Sequence, residues 1–178
     1  MKPTLHFLAA LPFAALLTAV GGARAADAPR VPANLAVPPG QVVATDVYAR
    51  GVQIYDCKPA KDDPARFEWV FRSPQADLFD DDGQLVGRHY AGPTWEWPDG
   101  TRVVGAAAAQ APAPSADAIP WLLLSVKSTA GSGALARTVS VQRLETAGGK
   151  APAGNCQPAV SEVRVPYTAT YYFYVPKS

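Results

Sequence analysis

Apolar and polar positions alternate with a period near two along most of the chain. "VVATDVYARGVQIYDC", ending at Cys57, is rich in Val, Ile and Tyr and reads as a long strand. "FEWVFRS", Phe67 to Ser73, places Phe67, Trp69 and Phe71 on one face. "DGQLVG" (Asp82 to Gly87) and "DGTRVVG" (Asp99 to Gly105) each begin with Asp-Gly, a hairpin signal because both turn positions tolerate positive φ there. "IPWLLLSVKS", from Ile119, is a continuous apolar run of strand length, which predicts burial on both faces. After the turn "TAGSG", Leu135, Val139, Val141 and Leu144 fall along a further strand. "YTATYYFYVP" ends the chain, with Tyr171, Phe173 and Val175 on one side and Tyr172 and Tyr174 on the other. Apolar side chains on both faces imply a central position or a sheet covered on each side.

Three stretches interrupt the alternation. Lys58 to Arg66 is a polar, Pro-containing loop, and "AGGKAPAGNCQP" is a loop pinned by Cys156. Ala106 to Ala118, "AAAAQAPAPSADA", is low in complexity; Pro112 and Pro114 prevent an extended helix, so an exposed connection with at most one helical turn is expected over 106–118. The pattern therefore predicts an all-β domain over 41–178, an antiparallel β-sandwich or barrel-like fold of about seven or eight strands with little helix.

The first residues change where this domain works. Lys2 supplies a positive start, Leu5 to Val20 is apolar apart from His6 and Thr18, and Gly22-Ala23-Arg24-Ala25-Ala26 offers small residues for processing. Residues 1–25 are expected to be a cleaved signal peptide, too short in its apolar run to be a membrane anchor, followed by a Pro/Ala-rich lead-in over 26–40. The protein is expected to be exported, to the periplasm or the medium. The mature chain of about 150 residues suits one domain. Cleavage removes Lys2 and Arg24 and leaves fourteen basic against fifteen acidic side chains. No segment concentrates Lys or Arg, so nucleic acid and anionic membranes are not expected partners. Asp80-Asp81-Asp82 is solvated turn chemistry rather than a calcium loop.

Export bears on the two cysteines, Cys57 and Cys156. In an oxidising compartment a lone pair reads most simply as one disulfide, which would close a loop of about a hundred residues and stabilise the fold by up to ~4.7 kcal/mol in the chain-entropy model. The rival reading is a thiol nucleophile activated by the one histidine of the mature chain.

That histidine lies in "GRHYAGPTWEWPDG", Gly87 to Gly100, the most chemically varied stretch. As chemistry, His89 with Glu96 or Asp99 would form an acid/base pair. One histidine beside oxidised cysteines makes a poor transition-metal site, and no G-x-S-x-G elbow supplies a serine. As scaffold, Gly92-Pro93 and Pro98-Asp99-Gly100 mark bends, and Gly87 and Gly105 mark bulges or close backbone approaches. Trp95 and Trp97 then share one face with Glu96 opposite, and His89 and Tyr90 lie on different faces. As a recognition surface, Tyr90, Trp95, Trp97 and Arg102 would form a binding face for a small molecule, glycan or protein.

"GVQIYDC", "GRHYAGPTWE", "DGTRVVG", "IPWLLL", "VQRLETAGGKAP" and "VPYTATYYFY" occur in an order that resembles the secreted bacterial and fungal proteins of domain-of-unknown-function family 3455. The resemblance runs across nearly all of the mature chain. It implies an exported β-rich domain and brings no catalytic assignments. Some fungal members carry a malate dehydrogenase label. The mature chain has no G-x-G-x-x-G and no βαβ alternation, so an NAD-dependent dehydrogenase is not expected, nor any cofactor or metal. The expected function is a binding or envelope-associated module; the alternative is a cofactor-free hydrolase or isomerase using His89 with Glu96 or Asp99.

Overall fold

The computed structural model describes residues 28–178; the signal peptide expected over 1–25 lies outside the described residues. Alternation along eight strands sends one set of side chains inward. These strands are β1 (Gln41–Pro59), β2 (Phe67–Phe79), β3 (Leu85–Tyr90), β4 (Thr94–Glu96), β5 (Arg102–Ala111), β6 (Trp121–Ala130), β7 (Ser140–Gly148) and β8 (Glu162–Pro176). Each pairs antiparallel with the next, and β8 returns to β1, so the sheet closes into an up-and-down barrel. Closure gives every strand a partner on both sides along at least part of its length. Val47 and Ala49 of β1, Val103 of β5, Val141 of β7 and Phe173 of β8 meet in the interior.

The two-faced apolar strands have a specific cause. The lead-in lies across the outside of the barrel, where a 3-10 turn at Ala33–Leu35 buries Leu35 against Ala111 and Leu144. Trp121, Leu123 and Tyr172 pack around this second cluster from their outer faces. Leu122, Leu124, Tyr171 and Phe173 face the interior. Polar bonds fix the strap: Gln142 donates its amide to the Leu35 carbonyl at 2.6 Å, and the Tyr174 hydroxyl donates to Gln142 at 2.6 Å. Burial holds the Tyr174 hydroxyl up at about 12, with the neighbouring Tyr172 acting in the same direction.

Two local expectations are corrected. Residues 106–111 of the expected connection continue β5, paired with β6 from Gly105↔Val126 to Ala111↔Trp121, and only the remainder forms a loop. Small side chains there suit a strand whose far side carries the strap. Leu135 and Val139 precede β7, and Leu144 faces outward while Val141 faces inward. Leu135 reaches the core from the turn between β6 and β7 instead.

Cys57, late in β1, is bonded to Cys156 with their Cα atoms 5.8 Å apart. The bridge ties the 149–161 connection to the strand ends, beside the Cys156 amide bond to the Phe67 carbonyl. No helix among the described residues is long and apolar enough to cross a membrane.

Candidate functional site in a notch of the barrel wall

The β3–β4 hairpin is shorter than its neighbours. β2 pairs with β3 only from Ala76 to Phe79, and β4 meets β5 only from Arg102 to Val104. Beyond the hairpin's Gly92-Pro93 turn, the first half of β2 and the second half of β5 have no strand between them. A cavity of about 330 Å³ sits at this notch. Phe71 and Pro74 of β2 form one edge, Ala107 of β5 the other, and Gly92-Pro93 the sill. Phe71 pairs with Tyr55, whose ring it meets edge-on, yet it is 51 % exposed because the wall is open beside it.

The back of the cavity is aromatic and aliphatic, with four polar groups. His89 and Trp95 rise from the sill, Leu122 and Leu124 come from β6, Arg143 from β7 and Tyr171 from β8. The end of the barrel above is closed by an isolated bridge, Ala118↔Gly149, which brings Ile119 into the core. Thr146 and Arg143 hold that closure in place. The Thr146 hydroxyl donates to the Ile119 carbonyl at 2.6 Å, and the Arg143 guanidinium donates twice to the Pro120 carbonyl, at 3.2 and 2.8 Å.

His89 is 2 % exposed, and its Nδ1 is 2.8 Å from the Thr94 carbonyl oxygen. A carbonyl only accepts, so Nδ1 carries the proton and Nε2 is left as an acceptor. Burial drives its pKa down to about 3 against the raising effect of the Thr94 bond, with the Arg143 charge adding to the fall. The imidazole is therefore neutral at any physiological pH. Trp95 is fully buried, and its indole Nε1 has no hydrogen-bond partner. Burial pushes the Tyr171 hydroxyl up, opposed by the charge of Arg143 and hydrogen bonds from Tyr167 and Arg143. Its oxygen lies 3.4 Å from the Tyr167 hydroxyl.

The remaining sequence candidates lie elsewhere. Tyr90, Glu96 and Arg102 share the outer face of the hairpin, where the Tyr90 hydroxyl donates to the Glu96 carboxylate. That bond raises the Tyr90 pKa, as does desolvation, while hydrogen bonding to Arg102 lowers it. Asp99 belongs to the β4–β5 turn at the opposite end of the barrel, where it accepts from the Thr101 hydroxyl and amide and from the Ala134 amide. These bonds, the Thr101 hydroxyl first, hold its carboxyl below the usual range. Trp97 meets Phe173 edge-on and packs on the core away from the notch. So the structure places His89 with Trp95 and separates both from Glu96, Asp99, Tyr90 and Arg102.

The family described as "Protein of unknown function (DUF3455)" matches residues 38–175. The chain belongs to that family. The match begins just before β1 and ends one residue short of the end of β8, so the whole barrel, notch included, is the DUF3455 unit. No curated protein and no solved structure matches the chain.

Arg143 and Tyr171 carry no local motif that marks them as site residues. A signal does exist for Arg143: it is two residues from inward-facing Val141, so alternation puts a cation on the core side. Among the described residues, no cluster of three or more His, Cys, Asp or Glu side chains is placed to hold a metal ion.

Proposed function

We propose that this DUF3455 domain is an exported small-molecule-binding barrel that holds one compact, largely apolar ligand in the notch cavity. The observation that carries this reading is the cavity itself. Its volume of about 330 Å³ falls at the small end of ligand pockets, which are concave, mostly apolar and provided with a few placed polar groups. A side opening gives access without disturbing strand pairing. The fixed acceptor at His89 Nε2 is the kind of group that orients a ligand. A glycan platform is less well supported, because Trp95 is fully buried and Trp97 packs on the core. The leader pattern and the Cys57–Cys156 bridge support export to an oxidising compartment.

The acid/base alternative finds less support. His89 faces neither carboxylate with which it was to be paired, and a group that takes a proton only near pH 3 is a weak base at neutral pH. The neutral probe N-phenyl-1-naphthylamine tests the binding reading. Its fluorescence should rise saturably with one site per chain, and Ala107→Trp, which fills the notch, should abolish the rise while far-UV circular dichroism is unchanged. An equal rise with the filled variant would overturn the reading.

A further inference from the structure

The notch cavity is electrostatically one-sided. Two arginines line it and no aspartate or glutamate does. At the mouth, Arg72 is neutralised by Asp56 at 2.9 Å and Glu162 at 2.5 Å. At the back, Arg143 is half-buried and makes no salt bridge with any described residue. Its Nε and Nη2 donate to the Pro120 carbonyl, and the Tyr171 hydroxyl takes a further hydrogen bond from it. A guanidinium has five N–H groups, so two remain for a ligand. A cation withdrawn from water without a counter-charge is costly, and a planar fork fits a carboxylate in two parallel hydrogen bonds. The rest of the lining is flat or aliphatic: the Trp95 and Tyr171 rings, Leu122, Leu124 and Pro93.

Resting on the cavity reading above, we infer that the ligand is a small monocarboxylate with a flat, apolar body, its carboxylate on Arg143 and its body among Trp95, Tyr171 and the β6 leucines. The neutral His89 then serves as an acceptor for a hydroxyl on that body, and adds no second positive charge that would call for a dianion. The volume of the cavity, at the small end of ligand pockets, suits a small aromatic body.

Isothermal titration of the intact mature protein with 2-naphthoate and with its neutral isostere 2-naphthamide decides the matter. The naphthoate should bind at least about tenfold tighter, the scale of one partly buried charge-assisted pair. Arg143→Gln should cost naphthoate at least about tenfold more affinity than it costs the amide, removing the preference for the acid. Because Arg143 also anchors the Pro120 loop, Arg143→Lys is the companion variant, keeping the charge and losing the fork, with an intermediate loss expected. The wild-type comparison stands even if neither variant folds. Equal binding of acid and amide would overturn the carboxylate assignment and leave the cavity reading intact. So would N-phenyl-1-naphthylamine binding that neither compound displaces. Failure of all three compounds to bind would overturn both.

Discussion

His89 lies against Trp95 across the β3–β4 hairpin, their ring centroids 4.6 Å apart and their planes 16° from parallel. The two are direct partners in the strand register, which forces their side chains onto the same inward face. Tyr171 closes the group from the opposite wall, 4.9 Å from His89 and 5.3 Å from Trp95. The sill of the cavity is thus a stack of two rings, and the imidazole is an apolar-facing slab with one fixed donor and one free acceptor.

That burial makes His89 a source of acid sensitivity. Its pKa is about 3 in the folded protein and about 6.5 when unfolded, so between those values the unfolded chain binds a proton that the folded one refuses. Its contribution is fully present above pH 6.5 and is lost as pH falls toward 3, at about 1.4 kcal/mol per pH unit at most. Urea midpoints should therefore drop between pH 7 and pH 5, before the carboxylates titrate. His89→Gln should flatten that drop, and the His89 ring resonances should not move between pH 8 and pH 5. A midpoint independent of pH in this window would contradict the burial.

Trp95→Ala should cost about 3–5 kcal/mol, the usual range for deleting a buried large aromatic ring. The ring is fully buried, touches His89, Tyr171 and Phe173, and lies against Gly105, where an added Cβ would come within 3.0 Å of it. Chemical denaturation measures the loss. A change below about 1 kcal/mol would mean that the ring is not part of the packed interior.

The outer trio should be silent in binding. Tyr90→Phe, Glu96→Gln and Arg102→Ala each alter a solvent-facing interaction worth about 1 kcal/mol or less. Titration with the naphthylamine probe should give the same affinity for all three as for the unaltered protein. A several-fold loss in any of them would move the binding face to the outside of the hairpin.

Replacing both cysteines, Cys57→Ser with Cys156→Ser, should lower stability by about 2–5 kcal/mol. The bridge spans 99 residues of sequence and ties the 149–161 connection to the end of β1. Thermal melts of the double variant measure the effect, and a thiol reagent added to the unreduced, denatured protein should find no free thiol. Two titratable thiols would show that the bridge does not form.

Much of the barrel was legible because a strand writes its faces into a two-residue period. The last strand announced Tyr171 and Phe173 on one side and Tyr172 and Tyr174 on the other, and both sides are covered. The same period separated His89 from Tyr90 and joined Trp95 to Trp97. It failed at Ala106 to Ala111, where alanine marks no face, and at Leu144, where the β7–β8 register shifts and Glu145 takes a φ of 52°. Asp99 and Glu96 looked like partners for His89 because they are close in sequence. A short hairpin instead turns Glu96 outward and carries Asp99 to the far end.

By itself, the sequence determined an all-β chain with its rings inward, one cysteine pair and Asp-Gly turns, because these depend on neighbours a few residues apart. Only the tertiary structure decided that the sheet closes, that the β3–β4 hairpin falls short and leaves a notch, and that Arg143 from β7 stands behind His89 from β3. Those features depend on relative strand lengths and on register between segments about fifty residues apart, and no local pattern encodes either.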